Sequence, residues 1–281
     1  MEVRGLKMKR EKGMSNFKMI KILFFIAGIL LLAGESFGYV IDGDLSDWEV
    51  KPGYYNSSDW KPKEGVFWVF EDQTGGLREY LGPGYGGQFY DVEAIYFDYD
   101  SEYAYIAIVT GFCKSGRSWR GINIYPGDIA LDFGADGSYE YGIITSSYRP
   151  SYALSEDVGG VYKVSSWAVA FEGVPDYQNC WRGKSDPTVI KQGDIIGETN
   201  QFFYGVNYQY YAGDNKWHHV IETSIPLDIF EDDWQLPLRI HWTITCGNDY
   251  LDLIVTPEPS SIFLLSLGLF GLGSLLRKKY S

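Results

Sequence analysis

Asp91-Val-Glu-Ala-Ile-Tyr-Phe-Asp98, Tyr99-Asp100-Ser101-Glu102, Tyr103-Ala-Tyr-Ile-Ala-Ile-Val-Thr-Gly111: this stretch decides the fold. Two runs of aromatic and β-branched residues flank a short acidic turn, which is the pattern of an antiparallel hairpin. The turn residues suit the job, because Asp and Ser side chains can hydrogen-bond the backbone locally. Working outward, Leu238, Ile240, Trp242, Ile244 and Cys246 alternate with Arg239, His241, Thr243 and Thr245. A period of two predicts a strand with one buried face. Further strands are expected over 129–133, 139–144, 167–171, 202–208 and 219–225. No segment sustains a 3.6-residue period, so the expectation is all-β: a jelly-roll-like β-sandwich with many short strands. Between residues 51 and 90 no strand can be placed.

The two ends belong to a different chemistry and are set aside from the fold. Residues 1–38 carry seven Lys/Arg and then an apolar run from Ile22 to Leu32. That run is short of the roughly 20 apolar residues a spanning helix wants, so it reads as a secretory signal peptide. Small residues at Ser36 and Gly38 place signal peptidase cleavage between Gly38 and Tyr39. At the other end, Pro257-Glu258-Pro259 precedes an apolar stretch from Ile262 to Leu276, within an expected membrane helix over 261–276, and then Arg277-Lys278-Lys279. At 1.5 Å per residue that stretch reaches only about 22 Å of a hydrocarbon core about 30 Å thick. A transient inner-membrane stop follows, with the basic end held in the cytoplasm.

Motif, apolar helix and terminal basic cluster, in that order, resemble the PEP-CTERM sorting signal over residues 257–281. The resemblance implies an exosortase, a membrane-embedded transpeptidase, as processing partner. It also implies a Gram-negative host and delivery to the cell surface or an exopolysaccharide matrix.

Between the ends lies an acidic domain, residues 39–256. Subtracting the ten Lys/Arg and four Asp/Glu of the termini leaves 14 basic and 33 acidic residues, a net charge of −19. A surface of that sign repels nucleic acid and anionic polymers and favours divalent cations. The clusters Asp42/Asp44/Asp47, Asp98/Asp100/Glu102 and Asp128/Asp132/Asp136 are candidate oxygen ligands for a structural calcium ion, with the first the preferred site. The competing reading is that these are ordinary turn residues.

Cys113, Cys180 and Cys246 all fall in the exported domain, where one disulfide among them and one leftover thiol are expected. Cys246 shares the inward face of its strand and reads as a buried structural residue, with His241 on the opposite face. His218-His219 reads as a surface pair, since neighbours in a strand point opposite ways.

Ile41-Asp42-Gly43-Asp44-Leu45-Ser46-Asp47-Trp48 resembles the opening motif of family 9 carbohydrate-binding modules and their DOMON-like relatives. The 91–111 hairpin and Pro126-Gly127-Asp128-Ile129-Ala130-Leu131-Asp132 are similar to later parts of that pattern. The resemblance implies a β-sandwich and, in sugar-binding members, exposed rings that stack on pyranose faces. The candidates here are Trp119 and Trp181, each in a Trp-Arg-Gly triplet, against the alternative that both rings cover the core or cap a turn. Haem ligation through Met is set aside, because Met1, Met8, Met14 and Met19 all lie in the leader.

Three functions compete. The first is a non-enzymatic surface protein that binds exopolysaccharide. The second is a purely structural matrix component. The third, an exported hydrolase, lacks a nucleophile elbow, a His-Glu-x-x-His pair or any other catalytic signature.

Overall fold

The computed structural model describes residues 38–52, 59–71, 86–174, 185–213 and 216–256, without the side chains of 208–213 and 216. The strands are β1 (Phe67–Phe70), β2 (Val92–Tyr99), β3 (Tyr103–Thr110), β4 (Arg117–Trp119), β5 (Ile122–Ile124), β6 (Ile129–Phe133) and β7 (Tyr141–Ile143). They continue with β8 (Gly160–Trp167), β9 (Ile190–Glu198), β10 (Gln201–Gly213), β11 (Lys216–Pro226), β12 (Leu238–Thr243) and β13 (Tyr250–Val255). Two sheets pack as a sandwich, one ordered β1-β2-β3-β11-β10 and the other β13-β12-β6-β7-β8-β9. A separate two-stranded ribbon joins β4 and β5.

The deciding hairpin is β2–β3. Asp100 closes it: its Oδ1 accepts the amides of Glu102 at 2.7 Å and Tyr103 at 2.8 Å. In this hairpin both faces are buried. Ile95, Phe97, Ile106 and Ile108 point into the space between the sheets. Ala94, Tyr96, Tyr105, Ala107 and Val109 point outward under a cover made by residues 39–50 and 60–66. Burial on both sides explains the near-continuous apolar run.

That cover opens with Tyr39. Its ring stacks on the buried Trp48 at 3.8 Å, and its hydroxyl donates to Asp98 Oδ2 at 2.6 Å. A chain cut between Gly38 and Tyr39 keeps both contacts.

Several expectations change. Residues 168–171 lie beyond β8, so the strand expected over 167–171 is displaced to Gly160–Trp167. β12 buries both faces rather than one, since His241, Thr243 and Thr245 are as enclosed as Ile240 and Trp242. The surface histidine pair is also corrected. His218 is buried, with Nδ1 2.5 Å from Glu93 Oε2, and His219 is pushed down to about 4 by burial and the nearby Arg117 charge. Both faces of β11 meet protein, with Ile221 in the space between the sheets and Val220 under the outer cover, where the His218 ring meets Trp60.

Candidate functional site at one end of the sandwich

The β4–β5 ribbon is tied by a two-residue turn, Arg120-Gly121, with φ of 50° and 79°. Two left-handed residues in succession are what a tight hairpin of this twist needs, and glycine adopts that region without strain. Cross-strand pairing sets Arg117 opposite Ile124 and Trp119 opposite Ile122. All four therefore share one face of the ribbon.

That face forms one wall of a small open cavity. Trp119 and Ile124 line it from the ribbon, and Tyr90 and Gly86 from the approach to β2. Phe171 comes from the segment after β8, and Cys246 and Asn248 from the turn between β12 and β13. Its make-up, aromatic and aliphatic walls with few polar groups, is that of small-molecule sites. Burial raises the Tyr90 hydroxyl above its usual range, against the pull of Arg117. Burial also pushes the Cys246 thiol up to about 12, and its Sγ donates to Asn248 Oδ1 at 2.9 Å. A thiol so held is a poor nucleophile.

Behind this end of the sandwich the sheets are joined by polar side chains. Asp249 Oδ2 accepts the Val92 amide at 2.7 Å, linking the β12–β13 turn to β2. Glu93 is held between Gln88 and His218. Oxygens of Glu71, Asp91 and Asp249 lie within 4.8 Å of one another, as do those of Asp132, Asp136 and Glu140 at the β6–β7 turn. These two trios are the carboxylate sets a hard cation would use among the described residues.

The trio preferred from sequence, Asp42, Asp44 and Asp47, is not brought together. Asp42 Oδ1 accepts the Asp44 amide at 2.8 Å, and Asp44 caps the 3-10 turn Leu45–Trp48 through the Ser46 amide at 3.1 Å. Asp47 Oδ2 accepts the Val40 amide at 2.8 Å. Asp98 and Asp100 are likewise occupied by Tyr39 and Tyr105. Asp128 is buried against Arg149, away from any trio. Cys113 and Cys246 are free thiols. Trp181, Cys180 and the sorting residues Pro257, Glu258, Pro259, Arg277, Lys278 and Lys279 lie outside the described residues, as does the helix expected over 261–276. Among the described residues no helix is long and apolar enough to cross a membrane.

Tyr90, Phe171 and Asn248 were not singled out from sequence. Each sits in a different segment, and only Trp119, set in a Gly-rich triplet, carried a local signal.

Fold and pocket together define an all-β sandwich protein with an aromatic site at one end. Residues 255–279 match the PEP-CTERM protein-sorting motif, so the chain carries the signal of an exported, exosortase-processed surface protein. Exosortase is its processing partner, and the cell surface its destination. No curated protein and no solved structure matches the chain.

Proposed function

We propose that the acidic sandwich is a non-catalytic domain that binds exopolysaccharide at the surface, holding a sugar unit in the cavity beside Trp119. The observation that carries this reading is the wall formed by Trp119, Tyr90 and Phe171 around an open cavity, with the Asn248 amide at its edge. A pyranose presents an apolar C–H face that packs on an aromatic ring, while its hydroxyls need a few polar partners. The cavity offers no activated nucleophile, since its one thiol is buried with a raised pKa. Export and sorting support the reading, because they bring the domain to where such polymers are met.

The test is retention on insoluble polysaccharides and a glycan array, with Trp119→Ala alongside. Retention that depends on Trp119 supports the proposal. A folded protein that binds no polymer leaves the purely structural matrix role in its place.

A further inference from the structure

The −19 charge of the domain predicts that anionic polymers are repelled, yet the rim of the aromatic cavity has the opposite sign. From Phe112 to Pro126 the chain carries Lys114, Arg117 and Arg120 and neither Asp nor Glu. Among the described residues no ion pair engages any of the three, although 33 carboxylates are present in the domain.

Placement ties the two arginines to the cavity. Arg117 shares the ribbon face that turns Trp119 and Ile124 into the wall, and its guanidinium lies 3.9 Å over the Phe89 ring. Its charge acts on the Tyr90 hydroxyl of the facing wall. The Arg120 guanidinium lies 4.7 Å over Trp119 itself. Arg120 is exposed, so it can swing to a group bound beside Trp119, and Lys114 is an exposed cation of the same segment. The carboxylates next in sequence to the lining, Asp91 and Asp249, are buried, and Asp249 turns inward to the amides of Val92 and Tyr250.

We infer that the ligand of this cavity is an anionic glycan, in which the sugar ring meets Trp119 and a uronate carboxylate is read by Arg117 and Arg120. This rests on the reading of the cavity as a sugar site and adds the charge of the sugar. The chemistry favours arginine: a planar guanidinium binds a carboxylate through two parallel N–H bonds and at the same time packs on aromatic faces. A neutral glycan would leave both arginines beside the cavity with nothing to pair. Diffuse attraction to any polyanion is opposed by the rest of the surface, so the carboxylate has to be delivered to the cavity.

The experiment uses the full-length chain in mild detergent, with three immobilised polymers: polygalacturonate, the same polymer methyl-esterified, and dextran sulfate. Esterification removes the charge and keeps the sugar. The expected result is binding to the free acid about tenfold tighter than to the ester, with the difference shrinking as salt rises. The exposed charge reversals Lys114→Glu and Arg120→Glu should abolish that preference. Arg117→Gln should weaken binding to the acid by a larger factor than binding to the ester.

Equal retention on acid and ester overturns the inference while leaving the sugar site standing. Dextran sulfate held as tightly as polygalacturonate, with the same response to the reversals, also overturns it, since the attraction is then to charge alone. Failure to bind any of the three, or any neutral polysaccharide of the array, removes the sugar reading as well.

Discussion

The carboxylate of Glu222, at the centre of β11, accepts the indole N–H of Trp48 at 2.8 Å and the backbone amide of Gly43 at 2.8 Å. The opening motif is thus fastened across the outer face of the sheet by a residue about 170 positions away in the chain. Its aspartates organise the turn and its tryptophan plugs the cover, which is a structural role for each.

Glu222 makes stability depend on pH. Burial pushes its carboxyl up to about 8 from an ordinary 4.5, despite the donors facing it. Between those values the folded chain binds more protons than the unfolded one. Glu222 therefore contributes stability that is fully present below about pH 4.5 and lost as pH rises through 8, with a slope of up to about 1.4 kcal/mol per pH unit. Urea midpoints measured from pH 5 to 9 should fall on this account, and Glu222→Gln should flatten the profile. A wild-type profile that rises over that interval would contradict it.

Gly43 is fixed by two constraints. Its φ is +81°, and a Cβ there would sit 2.2 Å from the Phe203 ring. Gly43→Ala should cost more than about 1 kcal/mol, from the left-handed backbone and the displaced ring together. Asp44→Ala, which removes the cap on Ser46, should cost about 1 kcal/mol. Chemical denaturation of the two variants checks the order.

Asp128 and Arg149 form a two-pronged ion pair at 2.6 and 2.7 Å, with both side chains buried. Asp128 also accepts the Ile190 amide at 2.8 Å, so it holds β9 to the end of β6. Arg149→Met would leave the carboxylate buried without its cation, and the expected loss is about 3–5 kcal/mol. A thermal midpoint close to wild type would mean that the pair is dispensable.

The sorting prediction concerns the tail alone. In a host that contains an exosortase, intact mass should show the chain shortened at its C-terminal end. Replacing Pro257, Glu258 and Pro259 with alanine should leave the tail attached. Processing that is indifferent to those three residues would count against the motif match at 255–279.

How much was legible in the sequence follows from the physics of each element. β2–β3, β6, β11 and β12 announce themselves because buried strands must be apolar and β-branched. β9 does not: Ile190-Lys-Gln-Gly-Asp-Ile-Ile-Gly-Glu198 is an edge strand, mostly half-buried or exposed, so no period is imposed on it. β1 is four residues long, too short to show one. Trp119 could be picked out by its Gly-rich neighbourhood. Tyr90, Phe171 and Asn248 could not, since they come from segments far apart in sequence that long-range hydrogen bonds join, the Phe171 amide to the Thr245 carbonyl and the Val92 amide to Asp249. The acidic clusters misled for a related reason: Asp42, Asp44 and Asp47 are close in sequence, but a turn spends their oxygens on its own amides. Asp91 and Asp249, far apart in sequence, are the ones that meet.

The most direct test of the central claim is the affinity of the full-length chain and its Trp119→Ala variant for the tightest-binding polysaccharide on the array, with circular dichroism confirming that both are folded. The account predicts saturable binding by the wild type and a loss of at least about tenfold on removing the ring, in line with the worth of one aromatic stacking contact in a desolvated site. Equal affinities for the two folded proteins would contradict it.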